Sequence, residues 1–331
     1  EVEVICDEIE SYNDSPAELI YDEFENILFK GSSLGHNILG TAEQVRSFTT
    51  EDALRFTRKL YRPDNAIFFA YGDIDFKKLV KLIGRALADN ESGKLAAEKL
   101  PQISQITQIS RDENPVATEK SVSSVESVGP KNYSSVGPKN YPSVGNEMAG
   151  QTIVMEKNTH QAHVMIGTRA YDVNDDRRMP LYLLNNILGG PGMNAKLNLA
   201  LREHNGLVYT VESTMVAYGD TGTWSIYFGC DEHDIKHCLR LVRKELDRMM
   251  EKPLSDSQLK AAKKQIKGQI GVACDNRENF ALDFGKSFLH YGWEKNVDCL
   301  YEQVEAITSQ QIQDVARELF DKNRLITLIF K

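Results

Sequence analysis

Apolar positions recur at helical spacing through the front of the chain. In NDSPAELIYDEFENILFKG, Leu19, Ile20, Phe24, Ile27 and Leu28 form one stripe. Ser15, Pro16 and Glu18 predict an N-cap, a first-turn proline and a capping box. Before this helix, EVEVICDEIE reads as an acidic helix already under way. After it come a Gly-rich loop, SSLGHNILGT, and a second amphipathic helix, TTEDALRFTRKLY. A turn at RPDN, a buried strand at AIFFAYG and a helix at DFKKLVKLIGRALA follow.

The second half opens on two strands, QTIVMEK and HVMIGTRA. Helical patterns cover 179–188 and 195–204. LVYTVESTMVAYGDTGTWSIYFGC reads as two strands around a Gly-Asp-Thr-Gly turn. A long helix at 231–250, further helices over 256–320 and a closing strand, RLITLIF, complete the chain. Paired strands followed by runs of helix predict an α+β fold, with helices on one face of a mostly antiparallel sheet. TTEDALRFTRKLYRPDNAIFFAY and TSQQIQDVARELFDKNRLITLIF align without a gap, and Thr49, Arg58, Leu60 and Ile67 match Thr308, Arg317, Leu319 and Ile326. Two domains of similar build explain this echo, although any two helix–turn–strand units share some likeness.

Residues 101–149 break the pattern. They are rich in Ser, Gly and Pro and carry SVGPKNY twice, which reads as a linker or exposed loop. The predicted division is 1–100, 101–149 and 150–331, in line with 331 residues being more than one core holds. A net charge of -9 argues against nonspecific nucleic-acid binding. No apolar run is long enough to span a membrane. Cys6, Cys230, Cys238, Cys274 and Cys299 are scattered, which favours free thiols in a reducing compartment over disulfides or a cysteine zinc cluster.

Two pairs stand out chemically. Glu1 and Glu8 are two helical turns apart, with about 20° of drift, so both carboxylates share a face. A solvated acidic helix start explains them on spacing alone. Val2, Val4 and Ile5 place that face beside the core. Arg202 and Tyr209 flank a helix-to-strand turn at Asn205-Gly206. A guanidinium and a phenol there can hold a carbonyl or an oxyanion, while a surface arginine beside a core-edge tyrosine is the plainer account. His233 and His237 in DEHDIKHCLR have ligand spacing without a general base, and read as surface histidines.

NNILGGPGMNAKLNLALREHNGLVYTVESTMVAYGDTGTWSIYF resembles the C-terminal domain of the pitrilysin/insulinase family of zinc metallopeptidases, in its processing-peptidase-like bacterial branch. EVEVICDEIE, LGHNILGTAEQV and YRPDNAIFFAYGDID are similar to the later part of the family's N-terminal domain. The resemblance implies two homologous domains, the first incomplete at its front. It implies that Glu8 is a zinc ligand, Glu1 a supporting acid, and Arg202 and Tyr209 the substrate-gripping pair. The family's inverted H-x-x-E-H motif is not among these residues, so it is expected upstream of Glu1. The residues in hand are then expected to be inactive and metal-free by themselves. The intact protein is expected to be a zinc endopeptidase of peptides or unfolded segments, cleaving in a chamber between two domains and often doubled in a homodimer. A cytoplasmic bacterial setting is expected, or a periplasmic one if an export signal precedes. The competing expectation is a non-catalytic family subunit that guides peptides.

Overall fold

A computed structural model describes residues 1–88, 148–292 and 296–331. The predicted linker and its repeat fall outside these residues up to position 147. Two compact units are present, and neither is continuous in sequence. The first combines Glu1–Phe48, Pro138–Asp275 and Asn296–Lys331; the second combines Thr49–Gly137 and Asn276–Lys295.

The first unit is built on a five-stranded sheet in the order β1-β5-β2-β4-β3. The strands are β1 (Thr152–Met155), β2 (Ala162–Ala170), β3 (Val208–Ala217), β4 (Gly222–Cys230) and β5 (Ile326–Phe330). Only β1 and β5 run parallel, so the sheet is mostly antiparallel as the α+β reading requires. The β3–β4 pair is the hairpin around Gly-Asp-Thr-Gly.

One face of the sheet carries Val164, Ile166, Trp224, Ile226 and Phe228 against a layer of helices. That layer is α6 (Arg178–Gly189), α7 (Ile235–Glu251), α8 (Asp256–Asp275), α10 (Val297–Ala306) and α11 (Ser309–Leu319). Their buried stripes, such as Leu181, Leu184 and Leu188 on α6 and Ile312, Val315 and Leu319 on α11, follow the 3.6-residue period.

The opposite face is covered as well, by the front of the chain. Leu19, Ile20, Phe24 and Leu28 of α2 (Pro16–Leu28), with Phe29, close on Met165, Ile326, Leu328 and Phe330. Each such burial stabilises by roughly 1.5–3 kcal/mol. Polar groups fix the angle of α2. Arg169 donates from Nε and Nη2 to the Leu28 carbonyl at 3.1 and 2.9 Å, at the negative end of the helix. Tyr218 Oη donates to Glu25, and Tyr21 Oη donates to Glu212 Oε1. Burial first, and then that bond, push the Tyr21 phenol far above its ordinary value.

On the same face His163 Nδ1 lies 2.9 Å from Tyr227 Oη, and burial holds its imidazole below its ordinary value. The unfolded chain therefore binds this proton more readily. The stability linked to His163 is complete above about pH 6.5 and is lost as pH falls through the folded value. Denaturant midpoints between about pH 7.5 and about pH 5.5 are expected to fall less steeply in His163→Gln than in the parent. An unchanged slope would show that His163 titrates alike in both states.

Two details at the front differ from the sequence reading. Pro16 does begin α2, but the Ser15 side chain makes no cap bond; its carbonyl takes the amides of Glu18 and Leu19 instead. Ser15 comes straight out of α1 (Val2–Asn13) with ψ of 88°, short of the extended backbone of an N-cap. Second, Val2, Val4 and Ile5 are exposed rather than against the core. The buried stripe of α1 is Cys6 and Ile9, turned toward α2 and the short helix α3 (Ala42–Ser47).

The second unit holds α4 (Thr50–Leu60), α5 (Phe76–Ala88) and α9 (Arg277–Tyr291). Phe69 packs tilted against Phe284 with ring centres 5.0 Å apart, and Tyr71 against Phe280 at 5.8 Å. Residues 66–72, read as a buried strand, form no strand here, and Phe68 and Tyr71 are exposed. A strand exists only by pairing, and among the described residues none lies alongside to take its hydrogen bonds. The helical half of the internal echo is present in both copies. Thr49 caps α4 and Thr308 caps α11, each in a capping box with the residue three positions on, Asp52 and Gln311. Both helices have 11 residues.

Candidate functional site

The stretch from Asn198 to Val211 builds the Arg202–Tyr209 pair. Leu197 and Leu201 are fully buried, which fixes the underside of the turn. Asn198–Glu203 is a π-helical turn rather than the α-helix expected over 195–204. Such widened turns recur at functional sites because they rotate the following side chains. Asn198 steadies it by donating Nδ2 to the Met193 carbonyl at 2.9 Å.

Gly206 then reverses the chain at φ +62°, a conformation that glycine adopts without strain. Its amide returns to the Arg202 carbonyl at 2.8 Å, and the Leu207 amide to that of Leu201 at 2.9 Å. These bonds satisfy the carbonyls at the helix end. The chain enters β3 at Val208, which is buried. A β-bulge lies between Val208 and Val211, so Tyr209 falls in the irregular stretch and is 83% exposed. Bulges re-aim side chains in this way.

The result is that the Arg202 guanidinium carbon stands 5.8 Å from the Tyr209 ring centre. Arg202 also lies 3.9 Å from Glu203 Oε1, a solvated pairing of small energetic weight. The phenol and the guanidinium therefore share one exposed spot, with hydrogen-bond donors free to meet a carbonyl or carboxylate oxygen.

Glu1 and Glu8 belong to the same compact unit. Glu1 is the N-cap residue of α1, without a side-chain cap bond, and Glu8 stands on its exposed side. Glu3, not Glu8, is the α1 acid held by a cation, in an exposed pair with Arg46 at 3.1 Å. Among the described residues no hydrogen bond or ion pair joins Glu8 to another side chain, and no group of three ligand-type side chains includes it. One carboxylate falls short of the three protein ligands of a hydrolytic zinc site, so these residues do not complete one.

His233 sits in the 3-10 turn Glu232–Asp234 and His237 in α7, so the pair does not share a single helix. His233 instead lies 3.4 Å from Asp234, and with Asp231 the three form a surface cluster in which Asp234 is half-buried. All five cysteines are free. Among the described residues no helix is long and apolar enough to cross a membrane.

The sequence is 27% identical over 98% of its length to an uncharacterized zinc protease of Streptomyces coelicolor (strain ATCC BAA-471 / A3(2) / M145), and 24% identical over 99% to the uncharacterized zinc protease YmxG of Bacillus subtilis (strain 168). It spans 63% and 69% of the length of these relatives. The fold is similar to that in the crystal structure of a protease from Helicobacter pylori, with a TM-score of 0.74 at 16% identity, covering 100% of this chain and 71% of that one. It is also similar to a peptidase M16 inactive domain from Pseudomonas fluorescens, with a TM-score of 0.68 at 17% identity, covering 99% of this chain and 69% of that one. The profile described as "Peptidase M16 inactive domain" matches residues 47–266, about two thirds of the sequence, and the chain therefore belongs to the peptidase M16 family.

Proposed function

We propose that this chain supplies the substrate-gripping pair and one metal-binding carboxylate of a zinc-dependent endopeptidase acting on peptides or unfolded segments. The convergence of Arg202 and Tyr209 on one exposed turn is the observation that carries the reading. Their donors hold the scissile carbonyl and stabilise the charge that develops on its oxygen. Glu8 is the proposed zinc ligand and Glu1 its supporting acid. The remaining ligands and the general base are proposed to come from residues outside this chain's sequence. Zinc, when bound, supplies an activated water.

The peptide is proposed to lie as an added strand on a sheet edge, where main-chain bonds accept any sequence. A homodimer and a cytoplasmic bacterial location belong to the same proposal, the latter supported by five free thiols. Nucleic acid and membrane are not proposed as partners; the chain's net charge of -9 supports leaving nucleic acid out.

The test is metal content in a polypeptide extended to the length of its relatives. It is expected to bind about one zinc per chain. Glu1→Gln is expected to weaken zinc about 10–100-fold, the usual cost of losing an outer partner, and Glu8→Gln to weaken it more. Undiminished zinc in Glu8→Gln removes Glu8 from the site. No zinc in the extended parent favours a non-catalytic subunit that guides peptides.

A further inference from the structure

Two thiols meet in the core of the first unit. Cys230 is the last residue of β4, and Cys238 stands in the first turn of α7. Both are buried in one cluster with Leu201 and Val208. The chain between them is drawn in by the 3-10 turn Glu232–Asp234, where the Asp234 amide donates to the Asp231 carbonyl at 2.9 Å. Across this turn the Cys230 thiol donates to the Cys238 sulfur. Other cysteines are engaged differently. Cys6 donates to the Ala42 carbonyl at 3.8 Å, and the exposed Cys299 accepts from Gln303 Nε2 at 3.9 Å.

The two sulfurs are not equivalent. The bond from Cys230 steadies a thiolate at Cys238, while the same bond and burial push the Cys230 thiol up. Cys238 is therefore the sulfur that attacks, and Cys230 the one that resolves. The pair also touches the carriers of both candidate site residues. Cys230 stands opposite Val208 in the β3–β4 ladder, and Tyr209 follows Val208 directly. α7 packs against the π-helical turn Asn198–Glu203, which carries Arg202.

We propose that Cys230 and Cys238 are a redox-sensitive pair that hydrogen peroxide joins in a reversible disulfide, shifting the turn between Arg202 and Tyr209. The Cys238 thiolate attacks one peroxide oxygen and the O–O bond breaks. A sulfenic acid forms, and the displaced hydroxide takes a proton and leaves as water. The Cys230 sulfur then attacks the sulfenic sulfur, and its proton and the displaced hydroxyl leave as a second water. Two thiols lose two electrons in all, and the peroxide gains them. A covalent bond replaces a hydrogen bond, so closure draws the end of β4 toward α7. In a reducing compartment such a bond is transient, as a sensing bond must be. Its effect on turnover rests on the proposed function; the bond itself does not.

Peptide mapping after peroxide treatment and thiol blocking tests the bond. Tryptic cleavage at Lys236 separates the two cysteines, so a disulfide shows as a link between peptides 203–236 and 237–240. The link is expected in the parent and in Cys299→Ser, and is expected to vanish with dithiothreitol or in Cys238→Ala. Hydrogen exchange of the amides over 205–211 is expected to change on oxidation of the parent and to stay as it was in Cys230→Ala/Cys238→Ala. In a polypeptide extended to the length of its relatives, oxidation is expected to lower peptidase turnover at least about tenfold, reversibly, and to spare that of the double variant. Two results overturn the proposal: sulfurs blocked or oxidised singly with no link, or a link with unchanged exchange over 205–211. A link with changed exchange but unchanged turnover upholds the switch and counts against the roles proposed for Arg202 and Tyr209.

Discussion

Tyr209→Phe, in a polypeptide extended to the length of its relatives, is expected to lower kcat about 100-fold while KM stays within about threefold. The substitution removes one hydroxyl and little else. The ring remains, so the Arg202 guanidinium keeps the aromatic surface it now has at 5.8 Å. The backbone path is set by the bulge and by Gly206, neither of which depends on the hydroxyl. Any loss then reports on the donor itself. A donor aimed at developing negative charge acts more strongly in the transition state than on the neutral carbonyl, so turnover carries the loss. Arg202→Lys provides the companion measurement, because a lysine keeps the charge but not the planar fork. Progress curves on an unfolded peptide substrate decide the matter. Unchanged turnover in Tyr209→Phe would take the phenol out of the reaction, and a rise in KM alone would reduce it to a binding contact.

Much of this arrangement is legible in the sequence because it is set locally. Asn205-Gly206 announces the reversal, since a left-handed position after a helix calls for glycine. Thr49 and Thr308 announce their helices because a capping box is complete within four residues. The β3–β4 hairpin shows itself through alternation and its turn. What sequence reading misses depends on distant partners. The cover of α2 over the second sheet face joins Tyr21 to Glu212 across 191 positions, and no local pattern encodes it. The apolar runs Val164-Met165-Ile166 of β2 and Leu328-Ile329-Phe330 of β5 are the signal in the sequence: a strand apolar on both sides asks for cover on both. Residues 66–72 fail in the other direction. Their β propensity is plain, but propensity does not supply a neighbouring strand. The bulge that presents Tyr209 and the π-helical turn that presents Arg202 are departures from regular geometry, and periodicity arguments assume regularity. Helical spacing singles out Glu8 and turn chemistry singles out Tyr209, but only the family resemblance gives them roles, because an exposed glutamate and an exposed tyrosine have plainer surface readings.

Trp224→Ala is expected to cost roughly 3–5 kcal/mol of stability, the range for truncating a fully buried large aromatic. The indole is fully buried on β4, with its ring 4.4 Å from that of Phe320. Its Nε1 donates to Asn185 Oδ1 at 3.1 Å. Asn185, on α6, also takes the Ser213 hydroxyl and returns Nδ2 to the Ser213 carbonyl at 2.9 Å. Truncation therefore opens a cavity and strips one donor from a group that ties α6 to β3. Close packing leaves little room to compensate: a β-carbon at Gly189, four residues on, would lie 2.5 Å from the Ser213 amide nitrogen. Trp224→Phe separates the two causes, since it keeps most of the volume and loses only the hydrogen bond, worth about 1 kcal/mol. Urea melts followed by circular dichroism, with the slope unchanged, give both values. A loss below about 1 kcal/mol for Trp224→Ala would move the centre of this core elsewhere. The same variant separates scaffold from chemistry at the candidate site, because β3 carries Tyr209. In the polypeptide extended to the length of its relatives, Trp224→Ala is expected to lose the proposed peptidase turnover only as the temperature nears its lowered midpoint, whereas Tyr209→Phe is expected to lose it at every temperature where the polypeptide is folded.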